Sequence, residues 1–298
     1  MITRYLMSKF HTHCLICNSE ELITLKDYTK FNLTKCGNCG FVFMKQIPTT
    51  DELNKHYSTY SYGREQYLSP ITIKNYNLLL DEFEKYRNNN RLLDVGCGMG
   101  FFLEQAKKRG WEVYGTEYSP KAVEINEAKG IKMTQGQLNS TVFKDINFDI
   151  ITSFEVIEHI NNPREEVREI HKLLRKSGLF YCTTPNFNSL LRYYLKDTYN
   201  VISYPEHLSY YTKKTLNKLL TGNGFQKKKL YCHGISFTRL KISQGNKEEK
   251  VVAQNSSDEK IRVEIEKKKY LLYAKNTVNY FLTLTGSGMA LKGYYEKI

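Results

Sequence analysis

Residues 88–110 read NNNRLLDVGCGMGFFLEQAKKRG. An apolar strand, Leu92 to Val95, runs into Gly96-Cys97-Gly98-Met99-Gly100, and a helical pattern begins at Phe101. Glycines let a chain turn sharply from strand to helix and let a ligand come close to the backbone. A lone glycine-rich turn is weak evidence, because dinucleotide sites use a similar one, GxGxxG. This turn is GxGxG, with an acid, Asp94, near the end of the strand.

Downstream the same alternation repeats. WEVYGTEYSP (111–120) reads as a strand with Glu117 at its end, KAVEINEAKG (121–130) as a helix, and IKMTQGQL (131–138) as a strand and its exit loop. NFDIITSFEVIEHI (147–160) and RKSGLFYCTTPN (175–186) supply two more strands, QKKKLYCHGISFTRL (226–240) a sixth, and SGMALKGYYEKI (287–298) a last one. Strands alternating with helical segments predict an α/β domain, a mostly parallel sheet covered on both faces.

The string DVGCGMG resembles motif I of the class I S-adenosylmethionine-dependent methyltransferases, and the later segments follow that family's order. The resemblance implies a Rossmann-like, seven-stranded α/β methyltransferase sheet over residues 89–298, with the last strand antiparallel beside the sixth. It also implies S-adenosyl-L-methionine as cofactor. Asp94, Gly96, Gly98 and Gly100 would form the donor turn, and Glu117 would hold the ribose hydroxyls with Tyr118 beside it. Gln137 and Leu138 fall where the family contacts the adenine, and Phe154 where the fourth strand meets the donor. A carboxylate suits a diol because it accepts two hydrogen bonds. Methyl transfer from a sulfonium is an in-line displacement that asks chiefly for alignment.

Glu155-Val156-Ile157-Glu158-His159 follows the fourth strand, where the family lines the transfer site. Some members with an ExxEH string hold a divalent metal there. The spacing would place Glu155, Glu158 and His159 on one turn; the alternative is that Glu155 meets the cofactor while His159 packs locally. Tyr204-Pro205-Glu206-His207 resembles a segment of zinc-bearing sugar methyltransferases, whose C-methylating members draw a base from an acid–histidine pair. His207 is thus the expected general base, with Glu206 beside it; ordering of the loop is the rival role. Those C-methylating enzymes carry a further C-terminal domain for which this chain has no room, so O-methylation of a sugar, nucleotide sugar or glycan-related metabolite is the expectation.

Residues 14–40 read CLICNSEELITLKDYTKFNLTKCGNCG, a C-x2-C-x18-C-x2-C pattern. Two CxxC turns present Cys14, Cys17, Cys36 and Cys39 as a tetrahedral S4 site suited to structural zinc. Residues 1–48 are read as this zinc ribbon, with His11 and His13 at its surface. Residues 49–88 are read as a linker and N-terminal helices, in which Tyr57, Tyr60 and Tyr62 would pack on the next domain. A helix is expected over 69–87, a flexible insertion over 243–259, and a helix over 260–283.

The chain's 298 residues suffice for one α/β domain and a smaller module. It lacks an apolar run long enough to span a bilayer and a secretory signal at its start, so a cytoplasmic location is expected. Net charge is +13, and from Lys213 onward 18 Lys and Arg face seven Asp and Glu. Such an excess could draw nucleic acid or an anionic surface; a composition rich in Lys, Asn, Tyr and Ile explains it equally. The acceptor is expected to be a small molecule or glycan. An RNA methyltransferase is the first rival, although the loop after the fourth strand lacks an Asn-Pro-Pro-Tyr string. A non-catalytic donor-binding protein is the second. The sequence leaves the oligomeric state open, and allows at most weak contact of the aromatic, basic tail with a membrane surface.

Overall fold

The computed structural model describes residues 9–58, 67–248, 250–251 and 253–298. Tyr60, Tyr62 and the Tyr57 side chain lie outside the described residues. The main sheet consists of β1 (Arg91–Val95), β2 (Glu112–Glu117), β3 (Lys132–Gln135), β4 (Phe148–Phe154), β5 (Leu174–Pro185), β6 (Phe225–His233) and β7 (Ala290–Lys297). Its order is β6-β7-β5-β4-β1-β2-β3. β3, β2, β1, β4 and β5 pair in parallel, whereas β7 is antiparallel to both β5 and β6. The Rossmann-like seven-stranded sheet is therefore present, with its last strand inserted as expected.

Neighbouring residues of each central strand serve opposite faces. Leu92, Ile150, Leu179 and Tyr181 join one core with Leu80, Phe83, Phe102 and Leu103. Leu93, Ile151, Phe180 and Cys182 join the other with Val167, Ile170, Leu216 and Leu219. The helices responsible are α2 (Pro70–Phe83) and α3 (Phe101–Lys108) on the first face, and α5 (Pro163–Leu173) and α7 (Lys213–Thr221) on the second; α1 (Thr50–Ser58) and α4 (Pro120–Ala128) precede and separate them. Period-2 alternation in the strands meets period-3.6 stripes on the helices. A capping box between Thr212 and Thr215 starts α7.

Chain order reverses at β1, which has β2 on one side and β4 on the other. A crevice forms outside the carboxyl ends of such strands, and ligands of open α/β sheets bind there.

The cysteine module is less separate than the sequence implied. Leu22–Thr24, Leu33–Cys36 and Val42–Met44 form an antiparallel sheet, and Ser209–Tyr210 from the far end of the chain adds its fourth strand. Cys14, Cys36, Cys39, Phe41 and Phe43 share the hydrophobic core of the α5 and α7 face. His11 is half-buried and bonds Asn161 Oδ1 at 2.7 Å, so it belongs to this junction rather than to open surface.

After α6 (Leu190–Leu195) and α8 (Phe237–Ser243), two helices replace the single one expected over 260–283: α9 (Ser257–Lys267) and α10 (Lys269–Thr285). Glu259 of α9 accepts from Ser69 Oγ at 2.5 Å, at the start of α2. α10 lies along β6, with Thr283 Oγ1 donating to Cys232 O at 2.8 Å. Lys268 turns extended between these two anchors. The segment expected as a flexible insertion over 243–259 thus ends inside α9.

Candidate active site

The turn from β1 to α3 fills the crevice. Gly96, Gly98 and Gly100 all have positive φ, at 66°, 51° and 70°, a region costly for L residues with a Cβ. A Cβ on Gly96 would meet Val156 at 2.6 Å, and one on Gly100 would meet Asn126 Oδ1 at 1.9 Å. At Gly98 a Cβ would enter open space. The first and third glycines therefore serve packing, and the middle one leaves room for a ligand.

Glu117 stands at the tip of β2. Its Oε2 accepts the Gly98 N–H at 2.9 Å, and its Oε1 accepts the N–H groups of Tyr118 and Ser119 at 2.8 and 3.1 Å. A carboxylate has about four acceptor sites, so about one remains for a ribose hydroxyl. Asp94 is buried below the turn, where Thr152 Oγ1 donates to it at 2.7 Å and burial pushes its carboxyl up to about 7. Leu138 is buried in the core, Gln137 is exposed, and Tyr118 is exposed at the rim. The half-buried ring of Phe154 packs on Tyr76, Phe102 and Tyr181.

Two residues that no motif reveals, Asn126 in α4 and Lys129 at its C-cap, brace this turn. Asn126 Nδ2 donates to Gly98 O at 2.7 Å, and Lys129 Nζ donates to Met99 O at 2.6 Å. In sequence they are ordinary polar positions of a helix.

The second cluster lies at the exit of β4. Glu155 has φ of 54°, and its N–H donates to Thr183 O at 3.1 Å. Strain of this kind in a non-glycine residue concentrates at functional sites. The Glu155 side chain is water-accessible yet surrounded by protein, as when a group lines a concavity, and desolvation raises its pKa. Arg239 of α8 and Lys292 of β7 oppose that shift through their charges. Neither cation carries a sequence signal, since both come from the distant end of the chain.

Glu158 and His159 lie in a short 3-10 turn, Ile157–His159. Glu158 is buried; its Oε2 accepts from Thr184 Oγ1 at 2.8 Å. His159 Nδ1 bonds the Glu206 carbonyl at 2.7 Å, and His207 Nδ1 bonds the Val201 carbonyl at 2.5 Å. The two imidazoles meet edge to face with centroids 4.8 Å apart. Burial pushes His159 down to about 4 and lowers His207, so both rings are neutral near pH 7. The Val201 carbonyl orients His207, while Glu206 acts on both rings: its carbonyl bonds His159, and its charge opposes the lowering of both pKa values.

The four cysteine sulfurs converge, with Cys14 Sγ 3.5 Å from Cys39 Sγ and Cys17 Sγ 3.6 Å from Cys36 Sγ. A tetrahedral ion with Zn–S bonds of about 2.3 Å sets its sulfurs about 3.8 Å apart. The cluster fits such an ion with little adjustment.

Among known proteins, a family model described as a methyltransferase domain matches residues 65–230. The chain is 30% identical over 128 residues to the ubiquinone biosynthesis O-methyltransferase of Pelagibacter ubique, a match covering 41% of this chain and 52% of that protein. It is 33% identical over 104 residues to the protein of the same name from Ruegeria pomeroyi, covering 33% and 42%. The chain thus spans about half the length, or less, of these relatives. Its fold is similar to that of a SAM-dependent methyltransferase from Archaeoglobus fulgidus, with a TM-score of 0.50, 19% identity, and coverage of 76% of this chain and 93% of that one. A protein from Pyrococcus horikoshii gives a TM-score of 0.51 at 15% identity, covering 82% and 99%.

Proposed function

The chain belongs to the methyltransferase-domain family, and on that premise we propose that it moves the methyl group of S-adenosylmethionine to a hydroxyl of a small polar acceptor. The observation that carries this reading is the meeting of two clusters at one end of the sheet. The open face of Gly98 and the Glu117 carboxylate flank the exit of β1, and Glu155 marks the exit of the adjoining β4.

In this reading the glycine turn receives the methionine part of the donor, Glu117 the ribose, and the segment at Gln137 and Leu138 the adenine. Glu155 takes the acceptor proton, because it is the carboxyl of this cluster open to water, and a raised pKa makes it the better base. Lys292 and Arg239 favour the anionic oxygen that forms. His207, which is 8% exposed with its Nδ1 tied to Val201, holds the floor of the site instead of taking the proton. The four cysteines hold a structural zinc ion.

The names of the relatives support transfer to oxygen. A sugar or glycan-related acceptor is supported by the cysteine module, the EVIEH loop (155–159) and the PEHLSYY segment (205–211). No described helix is long and apolar enough to cross a membrane.

The test is release of S-adenosylhomocysteine from the zinc-loaded chain supplied with nucleotide sugars and simple glycans. Glu155→Gln should lower kcat by about 10²- to 10⁴-fold while donor affinity stays within about threefold. Absence of calorimetric heat with either S-adenosylmethionine or S-adenosylhomocysteine would end the proposal.

A further inference from the structure

The charges near Glu155 do not balance. Lys292 lies across the β7–β5 ladder from Thr183, whose Oγ1 accepts the Glu155 N–H at 3.2 Å. A second lysine comes from α10. That helix is pinned to the tip of β6, where the Gly234 N–H donates to Asn279 Oδ1 at 3.0 Å. Lys275 stands one turn before Asn279, on the same less exposed stripe of α10. Its charge reaches both Lys292 and His233.

We propose that Lys292 and Lys275 form a subsite for a fixed anionic group of the acceptor, a phosphate or a carboxylate, beside the hydroxyl that is methylated. The inference rests on reading this cavity as the acceptor site.

Three observations support it. First, neither lysine side chain makes an ion pair or a hydrogen bond among the described residues. Glu155 acts for Lys292 and Lys275 acts against it. The remaining charges that reach Lys292 are already taken, Arg262 by Glu259 at 2.8 Å and Glu82 by Lys229 at 2.7 Å. One carboxyl therefore stands against two lysines. Second, Lys292 is half-buried yet surrounded closely enough that desolvation lowers its pKa, as desolvation raises that of Glu155. An ammonium held this way without a full counter-charge is costly, and an anionic ligand removes the cost. Third, burial and the charges of Lys292 and Lys275 push His233 down to about 3, so its ring is neutral near pH 7. That ring makes no hydrogen bond among the described residues, and its N–H is free to donate to the same ligand.

A bound donor sharpens the imbalance. Its sulfonium adds a positive charge, while its ammonium and carboxylate cancel. A lysine ammonium is a point charge with three donors, and it takes phosphate and carboxylate alike.

The test is calorimetry on the full, zinc-loaded chain saturated with S-adenosylhomocysteine, titrated with inorganic phosphate and, separately, with acetate. At least one anion should bind, and the tighter one identifies the group. Lys292→Met and Lys275→Met should each weaken it about tenfold or more. Lys227→Met removes an exposed lysine at the opposite end of β6 from His233 and should leave affinity within about twofold. That control separates a built subsite from the general positive charge of the chain. Unchanged S-adenosylhomocysteine affinity reports an intact fold, and Lys275, on a helix outside the sheet, gives a reading even where Lys292→Met fails to fold. The inference is overturned if neither anion gives saturable heat, if Lys275→Met binds as wild type does, or if Lys227→Met weakens binding as much. Absence of heat with S-adenosylhomocysteine counts against the methyltransferase reading; absence of anion heat once it is bound counts against the subsite alone.

Discussion

The Met44 N–H donates to the Leu208 carbonyl at 2.9 Å. On its other side Leu208 donates its own N–H to the Glu158 carbonyl at 2.8 Å. One residue therefore bridges the cysteine module to the turn carrying Glu158 and His159, and its neighbour is His207. Structural metal in such small modules supplies folding free energy directly. On the proposed zinc assignment, stripping the metal with a chelator, or Cys36→Ser with Cys39→Ser, should therefore loosen residues 203–211 as well as the module. The expected outcome is faster amide exchange across 203–211 and loss of turnover, with S-adenosylhomocysteine affinity changed less than about threefold. Unchanged exchange at Leu208 in the metal-free chain would show that the two regions are independent.

The glycine turn gives a graded prediction. Gly100→Ala combines a φ of 70° with a Cβ 1.9 Å from Asn126 Oδ1, so backbone strain and overpacking add to a loss of about 2 to 5 kcal/mol. Gly98→Ala carries only the backbone cost, about 1 to 2 kcal/mol, because its Cβ meets open space. That methyl would stand where the donor is proposed to sit, so binding should suffer more than folding. Urea melts paired with calorimetry should rank Gly100→Ala worse in stability and Gly98→Ala worse in donor affinity relative to its stability. The reverse ranking would mean that Gly98 does not face the donor.

Much of this was legible in sequence because it is local. DVGCGMG, the acid ending β2 and the two CxxC pairs each sit within a few residues, and the backbone there can fold only a few ways. What stayed hidden depends on distant pairings. Ser209–Tyr210 joins the cysteine module across most of the chain, Lys292 arrives from the last strand, and the His159 ring meets the Glu206 carbonyl, 47 residues away. Asn126 and Lys129 are invisible for another reason: polar residues on a helix look alike until their partner is known. The ExxEH spacing left open whether Glu155 joins Glu158 and His159; the polar atoms that converge are those of Glu158, His159 and His207.

Asn126 offers a sharp test of the donor-turn clamp. It is fully buried, and its Nδ2 donates both to Gly98 O at 2.7 Å and to Ala122 O at 2.8 Å. Asn126→Ala leaves the Gly98 carbonyl without this donor, at a cost of about 1 to 3 kcal/mol. Lys129→Met, nearly a turn on, removes a more exposed bond to Met99 O and should cost about 1 kcal/mol or less. Donor affinity should fall in the first variant more than in the second. Equal affinity in both would show that the turn holds its shape without α4.

Glu166 ties stability to pH. It is 3% exposed on α5, its Oε2 has no hydrogen-bond partner among the described residues, and burial pushes its carboxyl up to about 7, with the Glu169 charge adding and a bond to Gln137 opposing. An acid whose folded pKa exceeds its unfolded value binds more protons when folded. Its contribution is therefore complete below the ordinary value of 4.5 and is lost as pH rises toward 7. That loss amounts to at most about 3 kcal/mol. Glu166→Gln cannot ionise, so it should be close to wild type in stability at pH 5 and more stable than wild type at pH 8. Urea denaturation at the two pH values reads this difference directly. A gap between the two proteins that is the same at both would mean that Glu166 titrates in the folded chain as an ordinary surface carboxylate does.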